Sequence, residues 1–278
     1  MRVDAGIAGR VELQGMEIRQ NLYGETMKVL VACEFSGIVR EAFKAKGHDA
    51  WSCDLLPTEI PGQHIQGDVL EILNDGWDLM IAHPPCTHLA VSGARWFREK
   101  KQEQAEALDF VRTLLDAPIE RIALENPVSI ISSRIRKPDQ IIQPWQFGHG
   151  ETKATCLWLK GLPGLIPTDV VVPEWAVRED GSIHLSAKGK RDNPTHFLTG
   201  RTTRILRGAQ LDQWMRIHRE PPGPERWKNR SRTYQGIADA IALQYTAFVN
   251  SKLTVSEWNT KFYNMDIDKR NRLMVEYL

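Results

Sequence analysis

Two short stretches of the chain set reactive side chains where a strand would end. The first is Asp78-Leu-Met-Ile-Ala-His-Pro-Pro-Cys-Thr-His88. Its four apolar residues, Leu79 to Ala82, read as a buried parallel strand that breaks at Pro84-Pro85 and delivers Cys86 just past the break. About forty residues later, Arg121-Ile-Ala-Leu-Glu-Asn-Pro127 is another apolar run, ending in Glu125-Asn126-Pro127. A thiolate is strongly nucleophilic even when only a small fraction is ionised. A carboxyl beside it can hydrogen-bond the group under attack and stabilise the charge that develops there. In open α/β sheets, ligands bind outside the carboxyl ends of strands, where both residues would sit.

The elements that must position this pair alternate strand and helix. Met27 to Cys33 reads as the first strand, followed by Glu34-Phe-Ser-Gly37 and a helix over Ile38–Lys46 that stops at Gly47. His48 to Cys53 reads as a second strand closing on Asp54. His64 to Asp68 is a third, short one leading into Val69–Leu73. Ala107, Phe110, Val111 and Leu114 share one face of a helix over Glu103–Ala117, stopped by Pro118. Ile141 to Phe147 reads as irregular and Thr155 to Leu159 as a further strand. Helical periodicity returns over Gly236–Tyr245. The expected class is therefore α/β, a doubly wound, mostly parallel Rossmann-like sheet.

Composition narrows the function classes. The chain has 278 residues, 42% hydrophobic and 26% charged, as in ordinary soluble domains. Its formal net charge is +1, but thirteen Lys/Arg against six Asp/Glu fall between Arg178 and Arg232, beside Trp214 and Trp227. That excess, within a proline-interrupted stretch over 161–230, suggests a small irregular basic lobe that neutralises phosphates. Four cysteines show neither C-x-x-C spacing nor His partners at zinc-site intervals, so reduced thiols and no metal are expected. His83, His88 and His149 read as structural or substrate-side. No apolar run reaches membrane-spanning length, and no signal-peptide core opens the chain, so a cytoplasmic location without membrane association is expected. Residues 1–26 lack periodicity; an accessory helix, a tag remnant and a mis-assigned start all remain open. Residues 251–278 are mixed and charged, with room for a terminal helix.

Pro84-Pro-Cys86 with Glu125-Asn-Pro127, in that order and at strand ends, resembles the catalytic pair of the DNA cytosine-5 methyltransferase family. Within that family the chain is most similar to short phage-encoded cytosine methyltransferase-like proteins, over roughly residues 27–160 and 231–246. The resemblance implies a class I methyltransferase domain over 27–160 plus 231–250, a DNA-recognition lobe over 161–230, and extensions over 1–26 and 251–278. It implies S-adenosyl-L-methionine as cofactor, with Phe35, Ser36 and Gly37 forming the cofactor turn. Asp54 would accept the ribose hydroxyls, Asp68 the adenine amine, and Pro84 would line the same pocket. It implies cytosine-containing DNA as substrate, in a bacterial or phage-infected cell, and a monomeric enzyme. Cys86 would add to C6 of a flipped-out cytosine while Glu125 hydrogen-bonds N3 and the exocyclic amine. Asn126, Pro127 and Lys153 would contact the substrate.

The chain departs from the family pattern in two places. Thr87 stands where Gln usually follows the catalytic Cys, and the Gln-x-Arg-x-Arg segment is missing. Glu151-Thr-Lys153 occupies that segment's approximate place, which makes Lys153 the candidate for its charge. Two other readings stay open. One takes His83-Pro-Pro-Cys86 as a variant of the motif used by exocyclic amino methyltransferases (N4 or N6). The other is a catalytically degenerate DNA-binding or anti-restriction protein.

Overall fold

A computed structural model describes residues 25–91, 100–179, 182–185, 196–197, 204–263 and 265–278. The expected extension over 1–26 lies, apart from Glu25 and Thr26, outside them. Alternating helices and strands build one seven-stranded sheet. Its members are β1 (Lys28–Ala32), β2 (Asp49–Asp54), β3 (His64–Gln66), β4 (Leu79–Ala82), β5 (Arg121–Pro127), β6 (Gln140–Ile142) and β7 (Thr155–Lys160). The spatial order is β3-β2-β1-β4-β5-β7-β6. β1 to β5 are all parallel, and β7 runs antiparallel to both neighbours. The chain winds from β1 towards β3 on one side and from β4 onwards on the other. The crevice between the carboxyl ends of β1 and β4 is therefore the switch point of a doubly wound sheet. The expected α/β, mostly parallel Rossmann-like architecture is what the chain adopts.

The strand residues explain the two-faced core. β4, Leu-Met-Ile-Ala, is buried along its whole length, as a central parallel strand must be. Alternation sends Leu30, Met80, Ala82, Ile122, Leu124 and Trp158 to one face, where α2 (Lys101–Asp116) covers them with Leu108, Val111 and Leu114. Val29, Val31, Leu79, Ile81, Ala123 and Leu157 go to the other face. There they meet Val39 and Phe43 of α1 (Ile38–Lys44) and the apolar side of a long late helix over Gln235–Ser251. Each fully buried aliphatic or aromatic side chain in these layers contributes roughly 1.5–3 kcal/mol of transfer free energy.

Two expectations are corrected. Ile141 to Phe147, read as irregular, begins inside the edge strand β6, which pairs with β7 through Gln140↔Leu157, Ile141↔Cys156 and Ile142↔Thr155. Three residues are too few to show periodicity, so the pairing partner makes this strand. Residues 251–278 form two helices after a four-residue α3 (Ile131–Arg134), an α4 (Arg226–Ser231) and the late helix α5 (Gln235–Ser251). Of the two, α6 (Val255–Phe262) starts on a Thr254–Glu257 capping box and α7 (Ile267–Val275) on the Asp266 carboxylate. Trp258, Phe262 and Met274 insert into the core on the α5 side.

The stretch over 161–230 has a small core of its own, Val170 to Val172, Ala176, Ile183, Leu206 and Trp214, completed by Trp145 and Ile267 from outside it. It contains β8 (Val171–Pro173), paired with β11 (Arg204–Leu206), and β9 (Ser182–Ile183), paired with β10 (His196–Phe197). A 3-10 helix spans Gly208–His218.

Candidate active site

Three elements bring the first pair of residues together. β4 ends at Ala82, and the chain continues through His83, whose N–H donates to the Ala32 carbonyl at 2.9 Å. Asn126 Nδ2 then donates to the Pro84 carbonyl at 2.9 Å, tying the Pro-Pro turn to the end of β5. Thus Asn126, expected to meet substrate, turns its buried amide to the loop that carries Cys86. The N–H groups of Leu89 and Ala90 fold back onto the Cys86 carbonyl, and Cys86 itself is open to solvent. Glu125, near the end of β5, receives His83 Nδ1 at 3.2 Å on Oε2.

Lys153 reaches the same place through the reversed strand. Because β7 is antiparallel to β5, with Pro127 opposite Thr155, β7 begins at the sheet end where β5 finishes. Lys153, two residues before β7, is thereby set among Glu125 and Cys86, and both interact with its charge. Its Nζ donates to the Arg232 carbonyl at 3.3 Å and lies 5.7 Å from the Tyr234 ring centre. Of the expected substrate residues, then, the one assigned on position alone does enter the site.

These charges condition each other. Burial, then the Glu125 charge, pushes the Cys86 thiol up, while Lys153 and Arg230 oppose the rise. For Glu125, burial pushes the carboxyl up, but the His83 hydrogen bond and the positive charges of His83 and Lys153 outweigh it. The net position is below the usual glutamate range. Burial draws Lys153 below the usual lysine range against the pull of Glu125 and Cys86. The cluster can therefore hold a carboxylate and present a thiol whose ionised form has a cation to stabilise it.

At the neighbouring strand ends lies the expected cofactor turn. Cys33 leaves β1 with φ 58°, a left-handed conformation seldom adopted by a side chain of this kind. Glu34 is buried, and its carboxylate accepts from the Val39 and Arg40 N–H groups at 2.7 and 3.2 Å, serving the first turn of α1. The Ser36 hydroxyl donates to Glu34 Oε1 at 3.1 Å. Gly37 has φ 76°, and a Cβ there would stand 2.7 Å from Arg40 Nη2 and 3.1 Å from the Ile60 Cβ. Arg40 is fully buried and donates to Ser52 Oγ and Thr58 Oγ1 at 2.9 and 3.2 Å and to the Ile60 carbonyl. Neither Glu34 nor Arg40 stood out in the sequence, although an acid just before a helical run is a legible capping signal.

Asp54 Oδ1 accepts from the Leu56 N–H at 2.9 Å, and Asp68 Oδ1 from the Leu70 N–H at 3.0 Å. Each carboxylate keeps acceptor capacity beyond these turns. Both acids act on the Cys33 thiol, so all three converge at the mouth of β1 and β2. Burial raises the Asp54 carboxyl above its usual range. Phe35 is half-buried with its ring centre 5.8 Å from that of Trp227 on α4. Acceptor carboxylates, a glycine turn and an aromatic at the switch point suit a ligand carrying ribose hydroxyls, an amine and an adenine face.

The basic segment docks directly beside this floor. Glu151 is 5% exposed and accepts from Arg216 Nη2 at 2.6 Å and the Tyr234 hydroxyl at 2.9 Å. The Thr152 N–H donates to the Trp214 carbonyl at 3.1 Å, and Arg232 forks onto Glu59 at 2.7 and 3.0 Å. His149 Nε2 accepts from the Gly236 N–H at 2.9 Å, and a Cβ at Gly236 would overlap the Phe147 carbonyl at 1.8 Å. A cavity of about 450 Å³ opens here, lined among others by Ile38, His149, Arg216, Arg232 and Tyr234. Arg204, Arg207, Arg216, Lys228 and Arg232 are each paired with a carboxylate. Trp227 is half exposed beside them. Among the described residues, no group of three or more His, Cys, Asp or Glu is placed to hold a metal ion, and no helix is long and apolar enough to cross a membrane.

No family model and no curated protein matches the chain. One solved structure similar to it is an E. coli protein described as a DNA modification methyltransferase encoded within a prophage. It is 15% identical, with a TM-score of 0.34 over 48% of this chain. The chain spans less than half of that protein's length, 46%. A likeness of this extent says nothing of activity.

Proposed function

We propose that the chain is an S-adenosyl-L-methionine-dependent DNA cytosine-5 methyltransferase. One observation carries the reading: Cys86 and Glu125, from the ends of adjacent strands, both lie within charge–charge reach of Lys153, and the Glu125 charge acts on the Cys86 thiol. Phe35 and Gly37 at the turn, with Asp54 and Asp68 at the strand ends, fit the cofactor's adenosine and would hold it beside Pro84. The cofactor's contribution when bound is an electrophilic methyl group at C5 of the base.

The chain's own residues do the remaining work. Cytosine C5 is a poor nucleophile until a group adds at C6, and in this reading Cys86 Sγ makes that bond. Lys153 and Arg230 stabilise the thiolate. Glu125 hydrogen-bonds N3 and the exocyclic amine as charge develops on the ring. Asn126 holds the Pro84 carbonyl and so fixes the loop from which Cys86 attacks. Loss of the C5 proton and departure of Cys86 restore the aromatic ring. The base must leave its stack to expose C6. Trp227, flanked by Arg226 and Lys228 and one turn from Arg230, offers a stacking face and phosphate-neutralising charge at the opening. The lobe over 161–230 is the DNA-reading part of this proposal, and 27–160 with 231–250 the catalytic part.

Transfer of labelled methyl to unmodified DNA by wild type and Cys86→Ala tests the reading. Label recovered as 5-methylcytosine with wild type alone supports it. Label from both proteins removes Cys86 as nucleophile and moves the acceptor to an exocyclic nitrogen.

A further inference from the structure

One ring in the cluster is only half accounted for. His83 Nδ1 meets Glu125 Oε2 at 3.2 Å, whereas Nε2 of the same imidazole is buried and has no hydrogen-bond partner. With Nδ1 donating to the carboxylate, Nε2 is unmet in either state of the ring, an acceptor when the ring is neutral and a donor when it is protonated. The ring is held on both sides: its backbone N–H bonds Ala32 on β1, and the next residue's carbonyl is tied by Asn126. An imidazole has thus been placed directly beside the Glu125 carboxylate.

Glu125 faces a second problem that the same ring can solve. To hydrogen-bond the ring nitrogen N3 of an attacked cytosine it must carry or receive a proton. Its own surroundings, His83 from the end of β4 and Lys153 from the start of β7, favour the ionised form. The other charged or titratable groups around the cluster are Cys86, Cys156, Glu151 and Arg230. Lys153 is turned to the Arg232 carbonyl and the Tyr234 ring. Two side chains hydrogen-bond Glu125, His83 and the Thr155 hydroxyl, and of these only the imidazole exchanges a proton readily near neutral pH.

We infer that His83 is the proton partner of Glu125, a positioning and relay residue behind the base rather than a packing residue. The inference rests on the cytosine-5 reading. In the addition step the Nδ1–H bond of protonated His83 breaks as Glu125 gains that proton. Glu125 passes a proton to N3 while the Sγ–C6 bond forms, and His83 is left neutral. Elimination reverses the transfer: N3 returns its proton through Glu125 to Nδ1 as the Sγ–C6 bond breaks. No proton is consumed in this exchange and no co-reactant is needed. The proton leaving C5 goes to solvent.

The test compares wild type with His83→Asn, whose amide N–H stands in for Nδ1–H but holds no transferable proton. Methyl transfer to cytosine-containing DNA is followed from about pH 6 to about pH 9, across the imidazole range. Thiolate formation at Cys86 gives a limb that rises with pH, and a relay that must be loaded with a proton gives one that falls. The expected result is a falling limb in wild type that is absent in His83→Asn, with kcat down about 100-fold and KM for DNA changed less than about threefold. An unchanged kcat and an intact falling limb in His83→Asn would overturn the inference. Covalent trapping on DNA containing 5-fluorocytosine separates the two levels. An adduct with wild type that His83→Asn forms about as completely but more slowly supports the relay. An adduct formed equally fast by both overturns it alone. No adduct with wild type at any pH overturns the cytosine-5 reading and the relay with it. His83→Gln, with its amide nearer the Nε2 position, repeats the comparison should the Asn variant fold poorly.

Discussion

Cys33 lies one residue, and Cys86 four, past the ends of two hydrogen-bonded neighbouring strands. Each follows the end of a buried parallel strand, and the last residues of those strands, Ala32 and Ala82, are paired. Their surroundings differ in sign. Around Cys33, burial is joined by Asp54, Cys53 and Asp68, all of which raise the thiol, and nothing opposes them. Around Cys86, burial and Glu125 raise the thiol but Lys153 and Arg230 pull against them. Both thiols are raised by burial, and only at Cys86 do neighbouring cations oppose the rise. On the function proposed above, the acid-lined end is the one that would take the hydroxyl-rich cofactor and the end with a lysine the one that would carry the nucleophilic addition.

The contrast can be broken or sharpened by experiment. Timed alkylation with iodoacetamide near neutral pH, read by peptide mass spectrometry, is expected to label Cys86 at least about 100-fold faster than Cys33, since only the thiolate reacts. Equal rates would erase the distinction. Lys153→Met removes a charge that lowers the Cys86 pKa, so the midpoint of its alkylation curve should move upward. At fixed pH below that midpoint this slows labelling about tenfold. Asp54→Asn works at the other end: with one raising charge gone, Cys33 should label a few-fold faster, and binding of S-adenosyl-L-methionine, measured by calorimetry, should weaken by about 10-fold or more. The smallest effect belongs to Cys33→Gly. Relief of the left-handed backbone and loss of a small half-buried side chain should nearly cancel, within about 1 kcal/mol by thermal or urea unfolding. Methyl transfer should persist in that variant, whereas Cys86→Gly should abolish it.

Much of the sheet was legible because its strands are apolar runs that end on chemistry. Leu79–Ala82 before Cys86 and Ile122–Leu124 before Glu125 needed no tertiary information. β6 was not legible, since three residues carry no period and depend on β7 for pairing. At the site, Lys153 could be guessed from its place before a strand, but its approach to Glu125 follows from the reversal of β7. The Asn126 bond to Pro84, the Glu34 cap and the Arg40 anchor beneath Gly37 are contacts between segments, and sequence spacing does not encode them. The His83–Glu125 contact, across 42 residues, is of the same kind.

The late position of α5 has a consequence for how the chain is made. Val29, Val31, Leu79 and Ile81 are synthesised early, yet the helix that shields their face spans Gln235–Ser251. His48 on β2's approach waits for Thr246, 198 residues further on, to meet its Nε2 at 2.7 Å. A nascent chain emerging from the ribosome thus carries a sheet face covered on this side by α1 but not yet by α5. Closing so long a loop is slow relative to local structure formation. Until α5 is made, the apolar residues it covers are open to non-native association.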